Sequence, residues 1–328
     1  MLEPDLIETR KGNTGRITLN RPAALNAMTH DMVRRMARIL SEWEADPTIT
    51  LILVDGAGDK AFCAGGDVAA LYAAGKAGRF EEVIAFWRDM YALDLQIAEL
   101  KTPYVAFMDG ITMGAGVGIG AHGAHRVVTE RTMFALPECG IGLVPDVGAS
   151  YLLAALPEGI ARYIALTGAR LRGADCVALG LADHLIAAAD KAELIASLVA
   201  AGGPDPLSQL PPPAEPGEIH DVADQVTTAL AGLDVHRMVG QLEALSAGWA
   251  QRAAKALRAG SPTSQGLALR LLQQARDDRD LRRCLARDLE AATYCLKSGD
   301  FLEGVRAAII DKDKMPTWRA LQPTSPAL

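Results

Sequence analysis

The sequence lacks several features that would point to particular classes of protein. Its 328 residues contain only five cysteines, an odd number with no CxxC pair, so neither a disulfide framework nor a structural zinc site is expected. The six histidines show no H-E-x-x-H or similar spacing, and there is no G-x-S-x-G elbow. We therefore expect no metal, no separate cofactor and no serine nucleophile.

Excess positive charge and long apolar runs are also missing. The chain has 33 Lys and Arg against 40 Asp and Glu, a net charge of −7, which disfavours a nucleic-acid partner. The most apolar stretch, residues 104–121, contains Asp109 and five glycines, so it makes a poor membrane span. The first ten residues have no apolar core typical of a signal peptide. We therefore expect no membrane partner and a cytoplasmic location.

Strand and helix patterns alternate in the first half of the chain. Continuous apolar runs such as LILVD at 51–55 and YVAFM at 104–108 are typical of buried strands. Apolar residues at helical spacing over 28–43 predict a helix, which Asn26 or Thr29 would cap. The other predicted strands are 17–20, 126–129, 133–136 and 185–188, and the other predicted helices start near Gly114 and cover 147–155 and 160–166. This order predicts a layered α/β fold.

The second half has a different pattern. Residues 202–218 contain six Pro and three Gly, which argues against a regular element there. Beyond this stretch the pattern is helical. We therefore predict a catalytic core over 1–200, a linker over 201–218 and a helical C-terminal region over 219–328. That region either covers the core by packing or brings its end back to a ligand.

Two glycine-rich segments follow predicted strands. Lys60–Asp67, KAFCAGGD, has adjacent glycines that could present backbone N–H groups to an oxyanion, although a plain strand-to-helix turn explains the segment equally simply. Gly110–Gly123 contains a G-x-G-x-x-G match, but Gly118 lies ten residues after the strand end at Met108. A dinucleotide fingerprint begins directly at the strand end, so nicotinamide binding is rejected.

Two acids stand in the apolar run Phe134–Ser150. Burial of Glu138 and Asp146 would raise their pKa values and suit them to acid–base work. Asp146 could instead cap the helix that follows, whereas no capping role fits Glu138. Cys139 is interpreted as a small apolar residue and not as a nucleophile.

Five segments, in this order and spacing, resemble the crotonase (enoyl-CoA hydratase/isomerase) superfamily: LNRPAALNAM (Leu19–Met28), KAFCAGGD, GITMGAGVG, PECGIGLVPDVGAS and ALTGARLRGADCVALGLADHL (Ala165–Leu185). The resemblance implies an α/β, crotonase-like spiral of repeated ββα units with a helical C-terminal region. It also implies an acyl-CoA ligand whose thioester oxygen is held by two backbone N–H groups, here those of Gly66 and Ala115. Trimers or dimers of trimers are common in the superfamily.

The resemblance also limits which reaction of the superfamily is expected. Hydratases of the superfamily carry a second glutamate where this chain has Gly118, and they usually have Gly where this chain has Asp146. The pattern is most similar to the 3-hydroxyisobutyryl-CoA hydrolases, an interpretation that SPTS (Ser261–Ser264) and DFLEGVRAAIIDKDKMPTW (Asp300–Trp318) support. It implies hydrolysis of a small 3-hydroxyacyl-CoA in valine breakdown, with Glu138 attacking the carbonyl or activating water and Asp146 binding the 3-hydroxyl.

Other residues are expected around this ligand. The substrate would be lined by Lys60, Ala64, Gly65, Asp67 and Gly118, with Lys312 or Lys314 as further cations. The hydrolases often have an acidic residue just before the position of Tyr91, where this chain has Met90 preceded by Asp89. Two alternatives stay open: a hydratase or isomerase of the same superfamily, and a catalytically silent CoA-binding protein.

Overall fold

The computed structural model describes residues 4–212 and 217–319. They group into two compact units, each built from three stretches of the chain. The first comprises Met1–Gly66, Ala92–Phe134 and Leu171–His220. The second comprises Asp67–Tyr91, Ala135–Arg170 and Asp221–Leu328. The domain boundaries expected from the sequence stay a prediction, and residues 213–216 of the predicted linker lie outside the described residues.

The first unit contains two sheets. The larger has the strand order β1 (Leu6–Lys11), β2 (Thr14–Leu19), β3 (Leu51–Gly56), β5 (Tyr104–Met108), β7 (His125–Thr129) and β10 (His184–Ile186). The smaller has the order β4 (Ala61–Cys63), β6 (Ile111–Met113), β8 (Met133–Ala135) and β9 (Leu171–Arg172). In the larger sheet β1 pairs antiparallel with β2, and the remaining pairs are parallel.

The larger sheet is buried because its central strands are apolar on both faces, as in parallel sheets covered on two sides. On one face, Leu53 and Phe107 pack against Leu198 of a helix at Lys191–Ala201. Residues on the opposite face, such as Val54 and Met108, are equally buried. The strands expected at 51–55 and 104–108 are therefore confirmed.

The helices are numbered in chain order. In the first unit they are α1 (His30–Ala45), α4 (Ala115–Ala121), α7 (Gly173–Ala178) and α8 (Lys191–Ala201), and α3 (Phe80–Glu99) passes from the second unit into the first. The second unit contains α2 (Val68–Lys76), α5 (Ala149–Leu153), α6 (Glu158–Thr167), α9 (Glu218–Ala229), α10 (Val235–Glu243), α11 (Gly248–Ala259), α12 (Pro262–Asp278), α13 (Leu281–Ser298) and α14 (Asp300–Val305). Within the described residues, no helix is both long and apolar enough to cross a membrane.

Several local predictions were wrong. No strand was predicted between Met108 and the helix that starts near Gly114, yet Ile111–Met113 forms strand β6, in which Ile111 pairs with Ala61 of β4. The helix expected over 147–155 shortens to α5, since Val147 adopts a φ of 54° that no helix accommodates. Asp205–Gln209 forms a 3₁₀ helix inside the stretch expected to have no regular element. Of the two candidate caps of helix α1, Thr29 fills the role, because its side chain accepts from Met32 N–H. The Asn26 side-chain amide instead donates to the carbonyls of Ala57 and Ala61.

Candidate active site

Glu138 opens a tight 3₁₀ turn, Glu138–Ile141, just after β8. The turn closes when Leu143 N–H donates to the Glu138 carbonyl at 3.0 Å, and Gly142 supplies the left-handed φ of 70° that this requires. The Glu138 side chain is only 4% exposed, and its Oε2 has no hydrogen-bond partner within the part of the chain described. This carboxyl group is therefore buried with unused hydrogen-bonding capacity.

The C-terminal region packs directly on this turn. A Cβ atom on Gly142 would lie 2.1 Å from the Asp300 carbonyl oxygen, so only glycine permits this backbone approach. Ser261 joins the same parts of the unit, because its N–H donates to the Cys139 carbonyl and its hydroxyl donates to Asp300 Oδ2 at 2.6 Å. The helical region thus holds the backbone from which Glu138 projects.

Asp146 is the second buried acid, 5% exposed, and it has a specific partner. The hydroxyl of Tyr91, on α3, donates to Asp146 Oδ2 at 2.7 Å. The alternative role of Asp146 as a helix cap is wrong, because the N-cap of α5 is Gly148 and no side chain caps it. Its carboxyl group is therefore oriented by Tyr91 and not by a helix end.

The two acids influence each other electrostatically. Burial raises the pKa of Glu138 well above its ordinary value, and the negative charge of Asp146 raises it further. Burial also raises the pKa of Asp146, to about 6, against the lowering effect of the Tyr91 hydrogen bond. Asp146 thus ionises more readily, and Glu138 holds its proton longer. Buried acids with raised pKa values are typical of catalytic sites.

The two predicted oxyanion donors lie in the first unit, Gly66 shortly after β4 and Ala115 at the start of α4. Gly66 forms an isolated parallel bridge with Met28, in which Met28 N–H donates to the Gly65 carbonyl. Ala115 is the first residue of α4, so its N–H has no acceptor within the helix. A Cβ on Gly116 would lie 2.2 Å from the Cys63 carbonyl oxygen, which shows how closely α4 approaches the end of β4.

Gly118 lies inside α4 against a buried acid. A Cβ at this position would lie 2.4 Å from Oδ1 of Asp94, which is fully buried on α3. The space that a hydratase-type glutamate side chain would need next to residue 118 is therefore occupied. Gly118 is buried in this packing, and its predicted role in binding substrate stays a prediction.

The structure places the other predicted residues in varied surroundings. Asp67 caps α2, accepting from Ala70 N–H at 3.2 Å. Ala64 N–H donates to the Leu25 carbonyl. The side chains of Lys60, Lys312 and Lys314 are exposed, whereas Met90 is buried. Burial raises the pKa of the Cys139 thiol, in keeping with an inert side chain.

Two residues of this region were missed at the level of sequence. No role was predicted for Tyr91, because nothing in the surrounding helical pattern distinguishes it from other aromatic core residues. Asp288 of α13 was not singled out at all, although its Oδ2 accepts from Gly148 N–H at 2.8 Å. Among the described residues, no group of His, Cys, Asp and Glu is arranged to hold a metal ion.

Comparison with known proteins agrees with this architecture. The chain matches the family described as enoyl-CoA hydratase/isomerase over residues 14–325. The mitochondrial 3-hydroxyisobutyryl-CoA hydrolase of Gallus gallus is 37% identical over 326 residues, covering 96% of this chain and 84% of the relative. The Homo sapiens enzyme of the same name is 37% identical over 328 residues, with the same two coverages.

Solved structures share the whole fold. An enoyl-CoA hydratase from Rhodobacter sphaeroides 2.4.1 has a TM-score of 0.92 and 40% identity, covering 98% of this chain and 95% of that one. A carnitinyl-CoA dehydratase from Mycobacterium thermoresistibile has a TM-score of 0.91 and 37% identity, covering 96% and 92%. The predicted crotonase-like α/β fold with a helical C-terminal region is confirmed.

One expectation is contradicted. The chain was expected to be cytoplasmic, but the curated relatives that it matches at 36–38% identity are named as mitochondrial proteins. The predicted superfamily, in contrast, is confirmed by the family match and by relatives that cover nearly the whole chain. The chain belongs to the enoyl-CoA hydratase/isomerase family, the crotonase superfamily.

Proposed function

We propose that this protein hydrolyses the thioester bond of a small 3-hydroxyacyl-CoA, with 3-hydroxyisobutyryl-CoA as the first candidate and valine breakdown as the pathway. The observation that carries the proposal is the buried pair Glu138 and Asp146, in which Glu138 Oε2 has no hydrogen-bond partner among the described residues and Asp146 is held by the Tyr91 hydroxyl. The names of the curated relatives support the same substrate.

Hydrolysis requires a nucleophile at the thioester carbonyl and a proton for the departing thiolate. Glu138, once ionised, either attacks the carbonyl carbon to form a mixed anhydride or removes a proton from the attacking water. In the first route coenzyme A leaves as a thiolate, takes up a proton, and water then cleaves the anhydride. Both routes yield the free acid and coenzyme A, and both remain open.

Asp146 is suited to bind the 3-hydroxyl group of the substrate. Its pKa of about 6 leaves it mostly ionised at neutral pH, so it can accept a hydrogen bond from a hydroxyl. The Tyr91 hydroxyl donates to Oδ2 and so fixes the direction of the carboxylate that would make this contact. The backbone N–H groups of Gly66 and Ala115 are proposed to hold the carbonyl oxygen as it gains negative charge.

A hydratase or dehydratase is the second candidate, since two similar solved structures carry those names. The packing of Gly118 against Asp94 disfavours it, because a second glutamate has no room at residue 118. Neither candidate needs a cofactor beyond the coenzyme A of the substrate.

A panel of acyl-CoA thioesters tests the proposal. Release of free coenzyme A, followed with a thiol reagent, should be fastest for short 3-hydroxyacyl-CoAs. Acyl-CoAs of the same length without the hydroxyl should react more slowly. Equal rates with and without the hydroxyl would refute the role of Asp146, and no release from any member would refute the hydrolase assignment.

A further inference from the structure

A third buried carboxyl group lies beside the pair. Asp288 sits in the middle of α13 and is fully buried. Its Oδ2 accepts a hydrogen bond of 2.8 Å from the N–H of Gly148, and its Oδ1 has no hydrogen-bond partner within the described chain. Burying such a carboxyl group costs free energy. Its hydrogen bond to Gly148 N–H therefore indicates which segment the side chain stabilises.

The bonded segment is a strained turn. Val147 has a φ of 54° and Gly148 a φ of 73°, both in the left-handed region. For a β-branched residue this conformation is a genuine outlier, so the backbone of the turn is strained. The turn starts at Asp146, whose carbonyl accepts from Ala149 N–H at 2.9 Å. The direction of the Asp146 side chain therefore depends on a backbone that would relax if it were released.

Two bonds oppose this relaxation. Tyr91 fixes the Asp146 side chain at the start of the turn, and Asp288 fixes the Gly148 N–H two residues later. We propose that Asp288 is a positioning residue, which holds the strained Asp146–Gly148 turn and thereby aims the Asp146 carboxylate at the substrate. This inference rests on the proposed function, because it takes Asp146 to be the group that binds the 3-hydroxyl.

The charge state of Asp288 agrees with a role based on geometry. Burial raises its pKa well above the ordinary value, with the charge of Asp146 adding to the effect and the Gly148 N–H and Arg287 opposing it. A protonated carboxyl group still accepts through its carbonyl oxygen, so the bond to Gly148 persists in either state. Asparagine, whose side-chain amide also has a carbonyl oxygen, should therefore be able to substitute for Asp288.

Four variants of the full-length chain separate positioning from packing. Asp288→Leu keeps the volume without an acceptor, Asp288→Ala removes both, and Asp288→Asn keeps the acceptor. The matched control is Leu296→Ala, since Leu296 is fully buried on the same helix but packs toward Gly75. For each variant, kcat and KM are measured on the acyl-CoA that the wild type hydrolyses fastest, and folding is checked by thermal melting.

We expect Asp288→Leu and Asp288→Ala to lower kcat by about 10- to 100-fold, since loss of the hydrogen bond that holds the turn displaces the Asp146 carboxylate from its position at the substrate. Asp288→Asn should retain at least about a third of kcat, and Leu296→Ala should lose stability but keep its kcat. The proposal is overturned if Asp288→Asn is as impaired as Asp288→Leu, or if Asp288→Leu turns over normally. If Asp288→Ala does not fold, Asp288→Leu and Asp288→Asn still decide the question.

Hydrogen exchange at the Gly148 amide provides a readout that needs no substrate. The amide should exchange slowly in the wild type and in Asp288→Asn, and much faster in Asp288→Leu. Unchanged protection in Asp288→Leu would overturn the inference even if the protein is an active hydrolase. Lost protection in a protein that cleaves no thioester would show that Asp288 holds the turn while the proposed function fails, so the two failures are distinguishable.

Discussion

The Tyr91 hydroxyl donates a hydrogen bond of 2.7 Å to Oδ2 of Asp146, and both side chains are buried. A phenol donating to a carboxylate stabilises the ionised acid, and this bond lowers the pKa of Asp146 against the effect of burial. One neutral side chain therefore keeps Asp146 charged at neutral pH, beside a glutamate that retains its proton longer.

Tyr91→Phe should weaken the preference for hydroxylated substrates. Without the donor, the pKa of Asp146 rises above about 6, so less of it is ionised at neutral pH. We expect the ratio of kcat/KM for a 3-hydroxyacyl-CoA over its deoxy analogue to fall by about tenfold at pH 7, the effect of about 1.4 kcal/mol. The loss should grow toward pH 6. Tyr72 lines a cavity with Lys76 and Arg306 that does not include Asp146, so Tyr72→Phe should leave the ratio unchanged.

Asp146→Asn should move the acidic limb of the pH–rate profile to lower pH. The charge of Asp146 raises the pKa of Glu138, so its removal lets Glu138 ionise earlier as pH rises. The measurement is kcat from pH 5 to 9 for the wild type and the variant. An acidic limb that stays in place, or that moves to higher pH, would show that Glu138 does not control this limb.

Glu138→Gln should abolish turnover and stabilise the fold. The amide is neither basic nor nucleophilic, so kcat should fall by more than about 10³-fold while coenzyme A affinity is kept.

The effect of the same variant on stability should depend on pH. The pKa of Glu138 is raised in the folded state, so the native chain holds a proton that the unfolded chain releases above about pH 4.3. The stability of the wild type therefore falls as the pH rises beyond that value. Glutamine does not ionise, so the variant does not lose stability in this way as the pH rises. We expect Tm of the variant to exceed that of the wild type by about 2 °C or more at pH 8 and to match it at pH 4. A lower Tm at pH 8 would contradict the account.

The sequence predicted those features that depend on residues close together in the chain. Two acids inside an apolar run pointed to Glu138 and Asp146, and continuous apolar runs located the central strands. The partners of Asp146 and its turn could not be found in this way, since Tyr91 lies 55 residues from Asp146 and Asp288 lies 140 residues from Gly148. Only the packing of α3 and α13 brings them together. Strand β6 was missed for the same reason, because its three residues are defined by their pairing partner.

A pair of glycines in the Glu138 turn provides a matched test of how the C-terminal region supports the site. Gly142→Ala places a Cβ 2.1 Å from the Asp300 carbonyl oxygen and at a positive φ, so α14 must move or the turn must open. We expect a loss of more than about 2 kcal/mol in the free energy of unfolding, measured in urea, together with most of the activity. Gly140→Ala meets open space and should change neither by much. Similar losses in both variants would show that the turn is sensitive to any side chain and not to α14.

The central claim is that the chain cleaves a thioester and does not hydrate or dehydrate one. The most direct test follows free thiol and enoyl-thioester absorbance together in one reaction of the purified protein with 3-hydroxyisobutyryl-CoA, beside Glu138→Gln. Stoichiometric release of coenzyme A by the wild type, no rise in enoyl absorbance, and no reaction with the variant are predicted. Growth of enoyl absorbance without free thiol would contradict the account.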